Sequence, residues 1–191
     1  MELVIKSLTP DLLDDFLHFF DNIAFSDNLD WSGCYCHFYH FPGSMEQWRE
    51  TTSEQNRNAT IQLIKDKKMT GFLAFTDNEP VGWCNINSKE HYKKTPIDSK
   101  PETSLEGKVA SVVCFLIAPA YRKKGIAREL LKHAMKTLKE QGFNWIEAYP
   151  RKQTELSDAH SYHGPSSLFE SEGFVVVNED EHFLLMRKTL K

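Results

Sequence analysis

Short runs of apolar residues along the chain predict β-strands, and segments with apolar residues every three or four positions separate them. The strand candidates are residues 3–5, 71–75, 81–86, 109–117, 145–149, 174–177 and 182–186. The run at 109–117 is apolar except for Ser111, which is typical of a strand buried on both faces. Residues 76–79 supply the turn of a hairpin between the second and third runs.

Helical segments are expected between these runs. Their positions are residues 10–20, 44–64 with a break near 52–53, 125–141 and 166–171. The first begins at Thr9-Pro10, since threonine is a common cap and proline suits the first helical position. The second begins at Ser44 and Gln47, which have the spacing of a capping box. The order of strands and helices predicts an α/β domain around one central sheet.

The composition is that of an ordinary globular protein, with 191 residues, 40 % hydrophobic and 26 % charged. This length predicts a single domain over residues 1–191. No apolar run reaches about 18 residues and no secretory signal pattern is present, so we expect no membrane partner. The net charge of -4 argues against a nucleic-acid partner. The four cysteines are expected to be reduced thiols in a cytoplasmic protein.

The most informative stretch joins the apolar run at 109–117 to the helix at 125–141 through a basic turn. A helix start leaves backbone N–H groups without internal partners, and such donors bind anions. Gly125 allows a phosphate to approach the backbone closely, and Ala127 keeps the same side open. The local positive charge comes from Arg122, Lys123, Lys124 and Arg128. A solvated basic turn before a surface helix is the competing interpretation.

The turn Arg122-Lys123-Lys124-Gly125-Ile126-Ala127 resembles the signature of the GNAT superfamily of N-acetyltransferases, which is Arg or Gln, two residues, Gly, one residue, then Gly or Ala. The stretch Leu168–Phe174 is similar to the family's Leu-Tyr-Glu-x-x-Gly-Phe pattern. The resemblance implies a single GNAT-like α/β (α+β) domain over residues 1–191. Its central sheet is expected to be mixed, mostly antiparallel, with about six or seven strands flanked by helices.

The resemblance also implies acetyl-CoA as the cofactor. Its acetyl group would pass, by direct attack on the thioester, to a primary amine of a small molecule or to an exposed amino group. The cofactor-binding residues expected from the family pattern are Phe115, Leu116, Ile117, Arg122, Lys123, Lys124, Gly125, Ile126, Ala127 and Arg128. The first three would pair through their backbone with the pantetheine arm, and residues 123–128 would hold the pyrophosphate. The alternative is a non-catalytic acyl-CoA-binding or sensing module with this fold.

Two residues are candidates for proton transfer. Glu147 lies among apolar neighbours in the run at 145–149, a setting that can raise a carboxyl pKa towards that of a general base, and several GNAT enzymes place a base there. An outward-facing surface carboxylate is the competing interpretation. The family's usual acid, a tyrosine, falls at Phe169, so Tyr162 is the expected substitute. There are three alternatives: His163 protonates the thiolate, the thiolate leaves without a proton donor, or the protein binds CoA without turning it over.

Residues 31–40 are unusually rich in aromatic, cysteine and histidine side chains. In the GNAT fold the acceptor pocket is built largely from this region, so we expect Trp31, Tyr35 and Trp83 to bind the substrate. Packing over the core is the first alternative. A zinc site on Cys34 and Cys36 is the second, and Cys-x-Cys-His spacing disfavours it, so no metal is expected. A homodimer is the default oligomer.

Overall fold

The computed structural model describes residues 2–97, 105–152 and 161–191, and one seven-stranded sheet runs through them. The strands are β1 (Val4–Ser7), β2 (Gly71–Thr76), β3 (Glu79–Ser88), β4 (Lys108–Ile117), β5 (Phe143–Ala148), β6 (Val175–Glu179) and β7 (Leu184–Thr189). Their order in the sheet is β1-β2-β3-β4-β5-β7-β6. Every neighbouring pair is antiparallel except β4 and β5, which are parallel. The predicted mixed, mostly antiparallel sheet is confirmed.

Five α-helices flank the described part of the sheet. They are α1 (Leu13–His18), α2 (Met45–Arg49), α3 (Ser53–Lys65), α4 (Ile126–Glu140) and α5 (Ser166–Ser171), and α1 continues into a π-helical turn at Phe19–Ile23. The predicted break in the second helical segment is present because two capping boxes follow one another. Ser44 pairs reciprocally with Gln47 to start α2, and Thr52 does the same with Gln55 to start α3.

The β2–β3 hairpin and α4 form the rigid part of the core. Asp77 and Asn78 connect the two strands with positive φ angles of 51° and 66°, as a tight hairpin turn requires. Helix α4 packs one apolar face on β2, β3, β4 and β5. Its buried side chains include Leu130, Leu131 and Ala134, and each buried leucine stabilises the fold by roughly 2 kcal/mol. This packing fixes the N-terminus of α4 beside the end of β4.

Strands β4 and β5 pair only as far as Val112 and Ala148 and then separate. Pro150 follows and offers no N–H to a sheet ladder, and Arg151 bridges to Phe183 on the far side. The backbone N–H of Phe115 donates instead to the carbonyl oxygen of Tyr162, at 2.6 Å. The sheet therefore opens along the second half of β4, next to the N-terminus of α4.

No helix in the described ranges combines the length and the apolar character needed to cross a membrane.

Candidate active site

The N-terminus of α4 presents an open stretch of backbone. Gly125 is its cap residue, has a φ of 84°, and receives no side-chain cap. A Cβ atom placed on Gly125 would have no atom within 4 Å, so the space in front of this turn is empty of protein. Arg128 and Glu129 donate their N–H groups to the Gly125 carbonyl. The preceding first-turn N–H groups have no backbone partner among the described residues, which suits an anion.

A cavity of about 550 Å³ lies between this turn, β4 and the start of α5, and we call it the cofactor cavity. Nine of the ten residues expected at the cofactor line it: Phe115, Leu116, Ile117, Arg122, Lys123, Gly125, Ile126, Ala127 and Arg128. Lys124 is not among the lining residues, and its ammonium lies 5.1 Å from the centre of the Tyr121 ring. The sequence pattern and the geometry thus identify the same place.

Arg122 lies in this wall but holds protein groups. Its guanidinium donates two hydrogen bonds to the Asp27 carboxylate, at 2.5 and 3.0 Å, and its Nε donates to the Ile117 carbonyl at 3.1 Å. Hydrogen bonding to Arg122 holds the pKa of Asp27 below its usual value. Arg122, in the loop before α4, therefore ties the end of β4 to the segment after α1 that carries Asp27, and the backbone of the turn is left for an anion.

A second cavity, of about 460 Å³, adjoins the first, and we call it the acceptor cavity. The two cavities share Phe25, Leu116 and Tyr162. Most of its other walls are aromatic or sulfur-bearing side chains: Trp31, Cys34, Cys36, Phe38, Tyr39, Trp48 and Cys114. Asp30 and Arg49 add opposite charges. Trp31, expected at the substrate, lines this cavity and meets the Tyr162 ring edge-on at 5.2 Å.

The other two residues expected at the substrate, Tyr35 and Trp83, lie outside the acceptor cavity. Tyr35 is buried, and its hydroxyl donates to Asp21 at 2.7 Å. Trp83 is fully buried on β3 and meets the ring of Phe16 on α1 edge-on at 5.1 Å. Both are core residues, because α1 and the turn after it cover this face of the sheet. Their role at the substrate stays a prediction that this packing does not favour.

Sequence reasoning missed other walls of the acceptor cavity. Cys114 lines it on the same face of β4 as Leu116, and the alternation of side chains along a strand is a signal that could have found it. Phe25 and Trp48 also line it. They come from elements distant in sequence, and no local pattern distinguishes them from core aromatics.

Glu147, expected to be a general base, lines neither cavity. It is fully buried on β5 directly opposite Arg187 of β7. Arg187 donates to one carboxylate oxygen at 2.7 and 3.0 Å, and Lys89 donates to the other at 2.6 Å. The Tyr149 hydroxyl adds a bond at 3.2 Å. With both oxygens bonded to cations and away from the cavities, the carboxylate has the geometry of a structural ion pair, and its role as a general base stays a prediction that this geometry does not favour.

Tyr162 lies where the two cavities meet, and burial raises the pKa of its hydroxyl, so it is protonated near neutral pH. The next residue, His163, is buried and accepts or donates a hydrogen bond with the Tyr39 hydroxyl at 3.2 Å. Burial, reinforced by the charge of Arg151, lowers the pKa of His163 to about 3. Phe169 is fully buried against Phe174. Of these groups, the Tyr162 hydroxyl is the proton donor nearest the junction.

Within residues 2–97, 105–152 and 161–191, no three His, Cys, Asp or Glu side chains cluster closely enough to hold a metal ion. Cys34 and Cys36 are free thiols. Cys36 instead accepts a hydrogen bond from the Trp83 indole N–H at 3.3 Å.

Two parallel strands, β4 and β5, separate beside the N-terminus of α4, which has no side-chain cap. This arrangement defines an α/β protein with a site for an anion. The sequence profile of the Acetyltransferase (GNAT) family matches residues 28–164. The chain therefore belongs to the GNAT acetyltransferase family, and the resemblance identified from the sequence is confirmed.

Solved structures with the same fold cover nearly the whole chain. A PaiA N-acetyltransferase from Thermoplasma acidophilum, in complex with coenzyme A, is 20% identical over 99% of both chains, with a TM-score of 0.57. An N-acetyltransferase from Staphylococcus aureus Mu50 is 14% identical over 100% of both, with a TM-score of 0.58. The ribosomal-protein-S18-alanine N-acetyltransferase from Escherichia coli is 15% identical over 100% of this chain and 95% of its own, with a TM-score of 0.52. A search of curated proteins finds no match to the chain.

Proposed function

We propose that the protein is an acetyl-CoA-dependent N-acetyltransferase acting on a primary amine of a small molecule or on an exposed amino group. The observation that carries this proposal is the meeting of two cavities at Leu116 and Tyr162, one of which ends at the N-terminus of α4. A thioester carried in the first cavity and an amine held in the second would meet at this junction. Membership of the acetyltransferase family supports the reaction class.

The cofactor cavity suits the shape and charge of coenzyme A. The pyrophosphate would accept hydrogen bonds from the first-turn N–H groups of α4, where the helix dipole also favours an anion. The pantetheine arm would run along β4 in the place that β5 leaves open. The N–H of Phe115 already donates to the Tyr162 carbonyl, so it is not free to bind the pantetheine arm. The Phe115 carbonyl and the Ile117 N–H point to the same side of β4, because backbone groups alternate along a strand, and they would bind the arm instead.

The acyl transfer itself needs three events. The amine must be neutral to attack the thioester carbonyl, the negative charge on the tetrahedral oxygen must be stabilised, and the CoA sulfur must leave. We assign the Tyr162 hydroxyl to the last event, as the group that donates a proton to the departing thiolate. Its position on both cavities supports this role, and a tyrosine hydroxyl is protonated near pH 7 as a proton donor must be.

The whole chain, residues 1–191, is proposed to form one N-acetyltransferase domain. The family match spans residues 28–164, and the sheet continues beyond this range through β1, β6 and β7. The edge strands of one continuous sheet have no separate core, which supports a single unit.

The test combines turnover with binding. The protein is incubated with acetyl-CoA and a panel of primary amines, released CoA thiol is measured, and the acetylated product is identified by mass. CoA affinity is measured by calorimetry. We expect thiol release that depends on the amine. Tight CoA binding without release for any amine would support the non-catalytic acyl-CoA module instead.

Gly125→Glu provides the structural control, because it places a bulky carboxylate where the pyrophosphate is proposed to bind. We expect CoA affinity to fall by at least about tenfold, or 1.4 kcal/mol. Gly142→Glu is the matched variant: Gly142 lies just beyond the other end of α4, has a φ of 78°, and its Cβ would also meet nothing within 4 Å. Both variants carry a similar backbone strain of about 1–2 kcal/mol. Equal CoA affinities in the two variants would contradict the anion site.

A further inference from the structure

The backbone around Cys36 adopts an unusual conformation. Tyr35 and Cys36 have successive positive φ angles of 47° and 54°, in the left-handed region that non-glycine residues rarely occupy. Such residues cost on the order of 1–3 kcal/mol each and persist where surrounding contacts hold them. Here Tyr35 is held by Asp21 through its hydroxyl and by the Thr60 hydroxyl, which donates to its carbonyl at 3.0 Å. The strained turn places the Cys36 side chain on the wall of the acceptor cavity.

One buried N–H donor is bonded to the Cys36 sulfur, and a second, unpartnered one lies near it. The Trp83 indole N–H donates to it at 3.3 Å. The second donor is the side-chain amide of Asn85, which is fully buried; its oxygen accepts a bond from the Tyr92 hydroxyl at 2.8 Å. With its oxygen held in that bond, the buried Asn85 nitrogen has no hydrogen-bond partner in the described structure, and it lies close enough to Cys36 to affect the pKa of that thiol. A neutral thiol accepts weakly, whereas a thiolate satisfies both donors, and an unmet buried donor costs about 1–3 kcal/mol.

Cys114 is the third group at this sulfur. Its thiol shares a hydrogen bond with Cys36. That bond and the two N–H donors lower the pKa of Cys36 against the opposing effect of burial, and the same bond raises the pKa of Cys114 well above its usual value. The other titratable groups facing the sulfur, whose pKa values are all raised, are Cys34, Cys84, Tyr39 and Tyr92. Of the two thiols, Cys36 is therefore the one that ionises more readily.

We propose that Cys36 and Cys114 form a peroxide-reactive thiol pair in the wall of the acceptor cavity, with Cys36 as the attacking thiolate and Cys114 as the resolving thiol. In the first step the Cys36 sulfur forms a bond to one peroxide oxygen, the O–O bond breaks and hydroxide leaves, which gives a sulfenic acid. In the second step the Cys114 sulfur forms a bond to the Cys36 sulfur and the S–O bond breaks. Water leaves with the proton of Cys114, and a disulfide remains.

The pair of Cys36 and Cys114 belongs to the acceptor cavity and not to the cofactor cavity. Both cysteines line the acceptor cavity, and neither lines the cofactor cavity. The disulfide therefore alters the place where an amine would bind and leaves the proposed CoA site as it is. Hydrogen peroxide is the oxidant, and it is small enough to enter a cavity of about 460 Å³.

The chemical test uses the reduced full-length protein treated with hydrogen peroxide and digested without reductant. We expect a cross-linked peptide pair joining Cys36 to Cys114, lighter than the two free peptides by the mass of two hydrogen atoms. In Cys114→Ser the same treatment should leave a Cys36 sulfenic acid, trapped by dimedone. Cys34→Ser is the matched control, because Cys34 lines the same cavity but burial raises its pKa to about 12. Its cross-link should be unchanged.

Two further measurements separate a designed pair from incidental oxidation. Trp83→Phe keeps a buried ring but removes one donor, so the rate of dimedone labelling at Cys36 in the Cys114→Ser background should fall by roughly tenfold. Oxidised protein should bind CoA with unchanged affinity and regain its starting thiol count with dithiothreitol. A cross-link that involves Cys34, or a Cys36 that stays reduced while Cys34 is oxidised, would overturn the proposal. These readouts are masses and thiol counts, so they hold whether or not the protein turns over an amine.

Discussion

Among the described residues, His163 and His40 are the buried histidines with the most strongly lowered pKa values, and acid should therefore destabilise the protein. His163 and His40 are only 4% and 6% exposed. Burial, followed by the charge of Arg151, lowers the pKa of His163 to about 3. Burial, followed by the charges of His37, His91 and Lys93, lowers the pKa of His40 to about 4. Both values lie well below the ordinary histidine value of 6.5.

The sign of the effect follows from which state binds the proton. As the pH falls below 6.5, each of these histidines takes up a proton in the unfolded chain but not in the folded protein, so protonation favours unfolding. Each contributes about 1.4 kcal/mol of lost stability per pH unit between 6.5 and its folded pKa. From pH 7 to pH 5 the free energy of unfolding should fall by about 2 kcal/mol for each histidine, and by about 4 kcal/mol for both.

The assay is urea unfolding at pH 7 and pH 5 for the parent and three variants. His163→Gln and His40→Gln should each reduce the pH-dependent loss by about 2 kcal/mol. His182→Gln is the control, since His182 is exposed, and it should leave the loss unchanged. Carboxylates contribute equally to all four proteins, so only the differences are compared. The same pH dependence in His163→Gln as in the parent would refute the assignment of a neutral buried imidazole.

The remaining predictions concern the two proton-transfer candidates. Glu147→Gln strips Arg187 and Lys89 of their carboxylate, so the free energy of unfolding should fall by about 3 kcal/mol or more, while exposed Glu140→Gln should change it by less than about 0.5 kcal/mol. If the pH–rate profile of Glu147→Gln lost its acidic limb, the rise in rate with pH that reports ionisation of a base, at unchanged stability, the ion-pair interpretation would be wrong. Tyr162→Phe should lower kcat by about a hundredfold and leave CoA affinity unchanged, as turnover and calorimetry would measure. An unaltered kcat would remove Tyr162 from thiolate protonation.

The anion site was predictable because all of its parts are local. One buried strand, one turn with Gly125 and one helix follow one another directly between residues 108 and 140, and the physics of a helix terminus alone marks the turn as an anion site. The capping boxes at Ser44 and Thr52 were equally readable, since each depends on residues three positions apart. Local rules fix such features regardless of the tertiary fold.

The rest of the site depends on contacts between distant residues. The character of Glu147 is set by Arg187, its partner forty residues away across β5 and β7, and the sequence around Glu147 carries no trace of it. The positions of Tyr35 and Trp83 could not be predicted for the same reason. An aromatic residue has the same spacing in the sequence whether its side chain lines a cavity or packs in the core. Cys36 is a further example of this dependence. The N–H groups near its sulfur belong to Trp83 and Asn85 of β3, and only the fold brings them there.

Tyr162 links the two cavities more closely than any other residue described. Its carbonyl holds the Phe115 N–H of β4 at 2.6 Å, and its ring lines both cavities and packs on Trp31. Tyr162 therefore connects β4 to the wall of the acceptor cavity, through its backbone bond to Phe115 and its ring contact with Trp31. A displacement of this loop must change both cavities together, whereas Gly125 lines the cofactor cavity alone. Among the described residues no strand pairs with the second half of β4 on that side, and the backbone bond to Phe115 holds Tyr162 in place at this open edge.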